Sequence, residues 1–121
     1  MRAVESVNGF SNTAGSPALP ACVRFHGDDE LHFIGTQDAW QQDVQLSRGQ
    51  IHPDDRLIDA DGHLYTLERD AEGHLGCRRA PGRLSLQEVL QLVRRHAAQD
   101  GACCVAKLSA ASIAEAISML A

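Results

Sequence analysis

The stretch DADGHL at residues 59–64 recurs as DAEGHL at residues 70–75, eleven positions later. Each copy has an aspartate at its first position and a glycine at its fourth. This pattern is typical of a type I turn that is closed by a glycine with positive φ, a common loop of β-hairpins. We therefore predict an antiparallel meander of three strands, at about residues 55–59, 63–69 and 74–79.

Before this repeat, apolar and polar residues alternate with period two in VRFH (residues 23–26) and ELHF (residues 30–33). Such alternation predicts two half-buried strands, joined here by a turn at residues 27–29. A loop of odd length puts Phe25 opposite Leu31 and keeps the apolar side chains on one face of the hairpin. We therefore expect this register.

A short helix is predicted between the hairpin and the meander. Thr36 is a suitable N-cap, and Trp40 and Val44, four residues apart, lie on one side of the helix. The helix is expected to end near Gly49, because Pro53 forbids its continuation.

The most clearly marked helix follows the meander. Ser85 and Glu88 form a capping box, and Leu84 is placed to pack onto Val89. Gly101 is the expected C-cap. The apolar face of this helix has helical spacing and consists of Leu86, Val89, Leu90, Val93 and Ala97.

The chain ends with a short apolar run at residues 102–108, interpreted as a buried strand, and a last helix opened by Ser109 or Ala110. The predicted fold is α+β, with the order β-β-α-β-β-β-α-β-α and helices packed on a mainly antiparallel sheet. Residues 1–19 are predicted to be a disordered tail, because they are rich in small polar residues, glycine and proline and lack periodicity. Residues 20–121 form one compact domain.

Charge is distributed unevenly along this acidic chain, which has a net charge of −5. Residues 28–72 hold twelve acidic residues and three arginines, whereas residues 78–107 hold six basic residues and two acidic ones. An acidic surface repels backbone phosphates, so nucleic acid is not the expected partner. The basic segment is instead a candidate surface for a protein partner, carried by Arg78, Arg79, Arg83, Arg94 and Arg95. Pairing of these arginines with acids inside the fold is the alternative.

The sequence has no secretory h-region at its start and no apolar run of the ~20 residues that a membrane helix needs. Its four cysteines are too irregular for a disulfide framework. We therefore expect a cytoplasmic protein with free thiols and no membrane contact.

Catalytic and cofactor motifs are missing, which argues against an enzyme and against a bound cofactor. The histidines, among them His26, His32, His63 and His74, lack the spacing of a metal site, so no metal is expected. Cys77 stands beside Arg78 and Arg79, which would lower the pKa of its thiol. The preferred function is a non-catalytic protein-binding or regulatory module. The alternative is a protein that binds a metal or a small ligand through surface histidines or Cys77.

Three segments carry a resemblance to a known family: CVRFHGDDELHFIG (residues 22–35), LIDADGHLYTL (57–67) and LSLQEVLQLVRRHAAQDGACCVAKL (84–108). Together they resemble a family of small uncharacterised proteobacterial proteins, a domain of unknown function. The resemblance covers roughly residues 20–121 and implies a compact bacterial domain. It implies no site residues.

Overall fold

A computed structural model describes residues 17–42, 50–99, 101 and 105–121. Within them, five strands form one antiparallel sheet in the order β2-β1-β3-β4-β5, which confirms the α+β class. The strands are β1 (Ala21–Arg24), β2 (Leu31–Ile34), β3 (Arg56–Ile58), β4 (His63–Arg69) and β5 (Leu75–Arg83). The helices are α1 (Gln37–Gln42), α2 (Leu86–Gln99) and α3 (Ile113–Ser118), with a 3₁₀ turn at Val105–Lys107.

The meander predicted from the repeat is confirmed as β3, β4 and β5. Gly62 and Gly73 have φ of +87° and +89°, and each donates its N–H to the carbonyl of the first aspartate of its turn. Strand β5 runs four residues further than predicted, to Arg83, and a bulge between His63 and Tyr65 accommodates the extra length.

The register predicted for the first hairpin is wrong by one residue. Arg24 pairs with Leu31 and Val23 with His32, so Phe25 does not lie opposite Leu31. The prediction assumed that one face of the hairpin is exposed. In the structure apolar clusters cover both faces, so the alternation of polar and apolar residues no longer fixes the register.

Two apolar clusters form the core, one on each face of the sheet. The first, the Trp40 face, contains Ala21, Val23, Ile34, Trp40, Leu57, Tyr65, Leu67 and Leu75. The second, the α2 face, packs the sheet against helices α2 and α3 and contains Cys22, Leu31, Ile58, Val89, Leu90, Val93, Ala116 and Ile117. In the central strands β1 and β3, neighbouring residues such as Cys22 and Val23, or Leu57 and Ile58, therefore lie in different cores.

The predicted capping box is confirmed, since Ser85 N–H donates to Glu88 Oε1 (2.8 Å) and Glu88 N–H donates to Ser85 Oγ (3.2 Å). Thr36 caps α1 through a 3.0 Å bond from Ala39 N–H. Gly101, with φ of +72°, follows the end of α2 as expected. Val44 and Gly49 lie outside the described residues.

The prediction of a sixth strand at residues 102–108 is wrong for the described part of this segment, because residues 105–107 form a 3₁₀ turn. Residues 102–104 lie outside the described part. Leu108 packs on the α2 face and its carbonyl accepts two bonds from Arg94, which holds the chain against α2 rather than beside a strand. The cap of α3 is Ser112 instead of Ser109 or Ala110.

Most of the predicted tail, residues 1–16, lies outside the described residues. Leu19 packs against the Trp40 face. Ala18 donates its N–H to Asp59 Oδ2 (3.2 Å) and accepts a bond from Ala60 N–H (2.8 Å). These contacts join residues 18 and 19 to the domain.

Candidate functional site

A cleft of about 370 Å³ opens between helix α2 and the α2 face of the sheet. This volume lies at the lower end of the range of small-molecule sites, roughly 300–1,000 Å³. We call it the arginine cleft. It is lined by Arg24, Arg56, Ile58, Leu64, Leu84, Glu88, Gln91, Leu92 and Arg95.

Strand register and helix periodicity bring the three arginines together. Arg24 and Arg56 are direct cross-strand partners in the pair β1–β3. Residues directly opposite each other point to the same face of a sheet, here the face that carries α2. Arg95 reaches the cleft from α2, together with Glu88, Gln91 and Leu92. These positions follow the three- and four-residue spacing of one helix face.

The positive charge of the cleft is not neutralised within the described part of the chain. Arg24 and Arg95 are exposed, and neither has a carboxylate of a described residue within ion-pair distance. Arg56 Nη1 donates to two backbone carbonyls, those of Pro53 (2.7 Å) and Asp55 (2.8 Å), which orient its guanidinium and leave its charge in place.

The acidic residue that lines the cleft, Glu88, already accepts a hydrogen bond from Ser85 N–H. The described lining therefore holds three cationic side chains and one carboxylate, which is also engaged in capping α2. Like charges directly opposite on neighbouring strands are destabilising. The pairing of Arg24 with Arg56 carries this repulsion, which a bound anion would relieve.

The remaining walls of the cleft are apolar. Ile58 is 1% exposed, and Leu64, Leu84 and Leu92 are half-buried. They come from β3, β4, the segment before α2, and α2 itself. The cleft thus combines an apolar floor with a few convergent cationic groups, the usual composition of a ligand site.

The five arginines predicted to contact a partner are not brought together. Arg78 forms a two-bond pair with Glu68, at 3.3 Å for each bond. Arg79 lies over the ring of Tyr65, with its guanidinium carbon 5.2 Å from the ring centre. Arg83 Nε donates to the carbonyl of Asp61 at 2.8 Å.

The last two of these arginines lie at the C-terminal half of α2. Arg94 donates from Nε and Nη2 to the carbonyl of Leu108, at 3.2 and 2.7 Å. Its neighbour Arg95 is the member of the predicted set that lines the cleft. Sequence reasoning missed Arg24 and Arg56 because both lie in the acidic part of the chain or beside it. The sequence feature that could have indicated them is their position in strands, since Arg24 follows the core residue Val23 and Arg56 precedes the core residue Leu57.

The histidines are engaged in local contacts. The rings of His26 and His52 stack with centres 4.0 Å apart and planes within 5°, and Asp54 Oδ2 lies 3.7 Å from His26 Nδ1. Buried Asp55 holds the pair by accepting from His26 N–H (2.7 Å) and His52 N–H (2.9 Å).

The side chains of His26, His52 and Asp54 offer ligand atoms within 4.8 Å of one another and so form a candidate metal group. Nevertheless, His52 Nδ1 accepts a bond from Asp54 N–H (3.0 Å). The neutral ring then carries its proton on Nε2, so neither ring nitrogen of His52 presents a free lone pair. The stacked rings of His26 and His52 connect the loop after β1 to the loop before β3. The absence of a metal site stays a prediction.

Two further histidines belong to the repeated turns, where His63 Nδ1 lies 3.7 Å from Asp59 and His74 Nδ1 lies 3.4 Å from Asp70. His96 accepts from Leu31 N–H at 3.0 Å and so connects α2 to β2.

The lowered pKa expected for Cys77 is wrong. Burial raises the pKa of this thiol to about 12, and the nearby charges of Glu68 and Asp59 act in the same direction. Arg78 points to the opposite face of β5, because neighbouring strand residues alternate, and Arg79 is engaged with Tyr65. Cys77 is therefore a protonated thiol against the Trp40 face at neutral pH.

Asp59 is buried, and both of its carboxylate oxygens accept hydrogen bonds from within the fold. Its Oδ1 accepts from the N–H groups of Asp61 and His63, both at 2.9 Å, and its Oδ2 accepts from Tyr65 Oη at 2.9 Å. With the bond from Ala18 N–H, four donors satisfy this carboxylate. A satisfied buried carboxylate of this kind stabilises structure and is not available for catalysis.

In the part of the chain that the structure describes, every helix is too short or too polar to cross a lipid bilayer.

Comparison with solved structures gives a match to the NMR structure of a protein from Shewanella amazonensis. The TM-score is 0.67 at 28% sequence identity, and the match covers 99% of this chain and 96% of the other. A comparison with curated proteins gives no match.

A family model matches residues 19–120, which is most of the chain and includes all nine residues of the arginine cleft. Its family is described as a protein structure with unknown function, in agreement with the resemblance seen in the sequence. The chain therefore belongs to the DUF4144 family.

Proposed function

We propose that this protein is a non-catalytic binding module that takes a small anionic ligand in the arginine cleft. The observation that carries the proposal is the convergence of Arg24, Arg56 and Arg95, from three elements, on one concave surface whose described lining holds a single carboxylate, that of Glu88. Guanidinium groups are well suited to this task because their planar donors match carboxylate and phosphate oxygens.

A binding role is favoured over catalysis by the chemistry of the cleft walls. The described lining residues include no histidine, cysteine, serine or threonine, so they provide no nucleophile with an adjacent base. The proposal keeps the non-catalytic role expected from the sequence but replaces the expected protein partner with a small ligand. It also moves the contact from Arg78, Arg79, Arg83 and Arg94 to the cleft, where Arg95 remains. A cytoplasmic location is part of the proposal and is supported by the free thiols of Cys22 and Cys77.

Inorganic phosphate is a suitable first probe, titrated at constant ionic strength while amide NMR shifts are followed. We expect saturable shifts that cluster on β1, β3 and α2 around the cleft. Arg95→Gln should weaken binding about tenfold, the value of one charged hydrogen bond. Arg24→Gln should have a similar effect.

Arg78→Gln is the matched control, because it removes the same charge from an exposed arginine outside the cleft. It should leave the dissociation constant unchanged. Shifts scattered over the whole surface, or equal losses in Arg78→Gln and Arg95→Gln, would show non-specific charge attraction and would contradict the proposal.

A further inference from the structure

We propose that the ligand of the arginine cleft is amphiphilic, a carboxylate that carries an aliphatic chain of medium length. This inference rests on the proposed function and specifies the part of the ligand that does not contact the arginines. It follows from the way in which charged and apolar side chains are ordered along the cleft.

Strand register shows that the cleft has a cationic end and an apolar end. Arg24 and Arg56 form one cross-strand row. Two residues further along β3, Ile58 pairs with Leu64 of β4 and forms the next row on the same face. A strand rises about 3.3 Å per residue, so the two rows are separated by roughly 7 Å.

Helix α2 has the same order on the opposite wall. Arg95 lies near its C-terminal end, Leu92 lies one turn before it, and Leu84 precedes the helix. From Arg95 to Glu88 the helix extends roughly 10 Å at 1.5 Å per residue. Both walls therefore lead from guanidinium groups to leucine and isoleucine side chains over about the length of a medium aliphatic chain.

Glu88 fixes the direction in which an anion can bind. Its carboxylate lies at the apolar end, seven residues before Arg95, where it repels a negative head group. The head group is attracted to the arginine end by three positive charges. An amphiphilic carboxylate then has one favourable orientation, with its chain over Ile58, Leu64 and Leu92.

The apolar floor of the cleft favours binding of the ligand's aliphatic chain. Leu64, Leu84 and Leu92 are only half-buried, so they keep apolar surface in contact with water inside a concave site. Covering apolar surface contributes about 0.8 kcal/mol per methylene, which corresponds to about a fourfold gain in affinity. An anion without a chain leaves this surface exposed.

The test is a calorimetric titration of the full-length protein with butanoate, hexanoate and octanoate, with octylammonium as the control of opposite charge. We expect the dissociation constant to fall by up to about fourfold for each added methylene, and octylammonium not to bind. Leu92→Ser should flatten this dependence on chain length, because it replaces apolar surface of the cleft floor with a hydroxyl. Met119→Ser is its matched control, because Met119 is an exposed apolar residue outside the cleft.

The outcomes separate the two proposals. If phosphate binds at the cleft but affinity is the same for all three carboxylates, the amphiphilic ligand is overturned and the anion site stands. If neither phosphate nor any carboxylate binds, both proposals fail. The chain-length series uses the wild-type protein, so it remains decisive even if Leu92→Ser does not fold.

Discussion

The two copies of the repeated turn have the same local structure and different roles. In each, the carboxylate of the first aspartate accepts from the N–H groups two and four residues later, at 2.9 Å in all four bonds. In each, the glycine has φ near +90° and the histidine lies beside the aspartate. Within the turns themselves, six residues of sequence are enough to produce one geometry twice.

The contacts made by distant residues distinguish the copies. Asp59 is 1% exposed and is reached by Tyr65 and Ala18, whereas Asp70 lies in an exposed turn. The position equivalent to Tyr65 in the second copy is Gly76, which has no hydroxyl to donate. Local sequence therefore determines the shape of a turn, and long-range packing determines how much stability depends on it.

The largest expected effect comes from placing alanine at the two turn glycines. A Cβ at Gly62 would overlap the carbonyl oxygen of Leu84 and lie 3.0 Å from Ile113 Cδ1, in a backbone conformation that alanine disfavours. Gly62→Ala should cost about 4 kcal/mol, on the scale of severe core disruption. At Gly73 the added atom meets nothing within 4 Å. Gly73→Ala should therefore cost only the strain of positive φ, about 1–2 kcal/mol.

Urea denaturation measures both variants against the wild type, with equal slopes required for the comparison. Equal losses of unfolding free energy in the two variants would show that the close contact with Leu84 does not restrict residue 62. Both turns would then be restrained only by their local backbone conformation.

An intermediate effect is expected from the two aspartates. Asp59→Ala leaves the buried Tyr65 hydroxyl and the N–H groups around it without their acceptor, at a cost of about 3 kcal/mol. Asp70→Ala should cost much less, because water can replace the carboxylate in the exposed turn. Thermal unfolding of the two variants checks this difference. Similar midpoints would mean that Asp59 is as dispensable as Asp70.

The smallest effect in this series concerns the Tyr65 hydroxyl and its pH dependence. Burial and the bond to Asp59 raise the pKa of Tyr65 to about 12 from a usual value of 10. The unfolded state therefore ionises first, so this contribution to stability is complete below pH 10 and is lost as the pH rises towards 12. Tyr65→Phe should cost about 1 kcal/mol at neutral pH and remove this part of the alkaline decline.

Unfolding free energies between pH 8 and pH 11 for the wild type and Tyr65→Phe give the comparison. Parallel curves for the two proteins would show that the hydroxyl ionises equally well in the folded and unfolded states.

The same distinction between local and long-range contacts explains which features could be predicted from the sequence. The turns, the capping box of α2 and the cap at Thr36 are decided by residues within four positions of one another, and all are confirmed. The hairpin register depends on cores that cover both faces of the sheet. The turn at residues 105–107 depends on packing against α2.

The arginine cleft could not be predicted from the sequence for a related reason. A count of charges along the chain groups Arg78, Arg79, Arg83, Arg94 and Arg95, but the fold engages four of them separately with a carboxylate, an aromatic ring and two backbone carbonyls. The cleft instead combines Arg95 with Arg24 and Arg56, which are 71 and 39 positions away in the sequence. Strand pairing brings Arg24 beside Arg56, and the packing of α2 on the sheet brings Arg95 to the same surface.

The central claim is that an anionic ligand binds between the three arginines of the cleft, and arginine side-chain NMR tests it most directly. The Nε–H resonances of the wild-type protein are followed while octanoate is added at constant ionic strength and at a pH low enough to slow their exchange with water. We predict that the signals of Arg24, Arg56 and Arg95 shift together and saturate with one dissociation constant, while those of Arg78 and Arg83 stay in place. Shifts of Arg78 and Arg83 as large as those of the cleft arginines, or no shift at Arg24, Arg56 and Arg95, would contradict the claim.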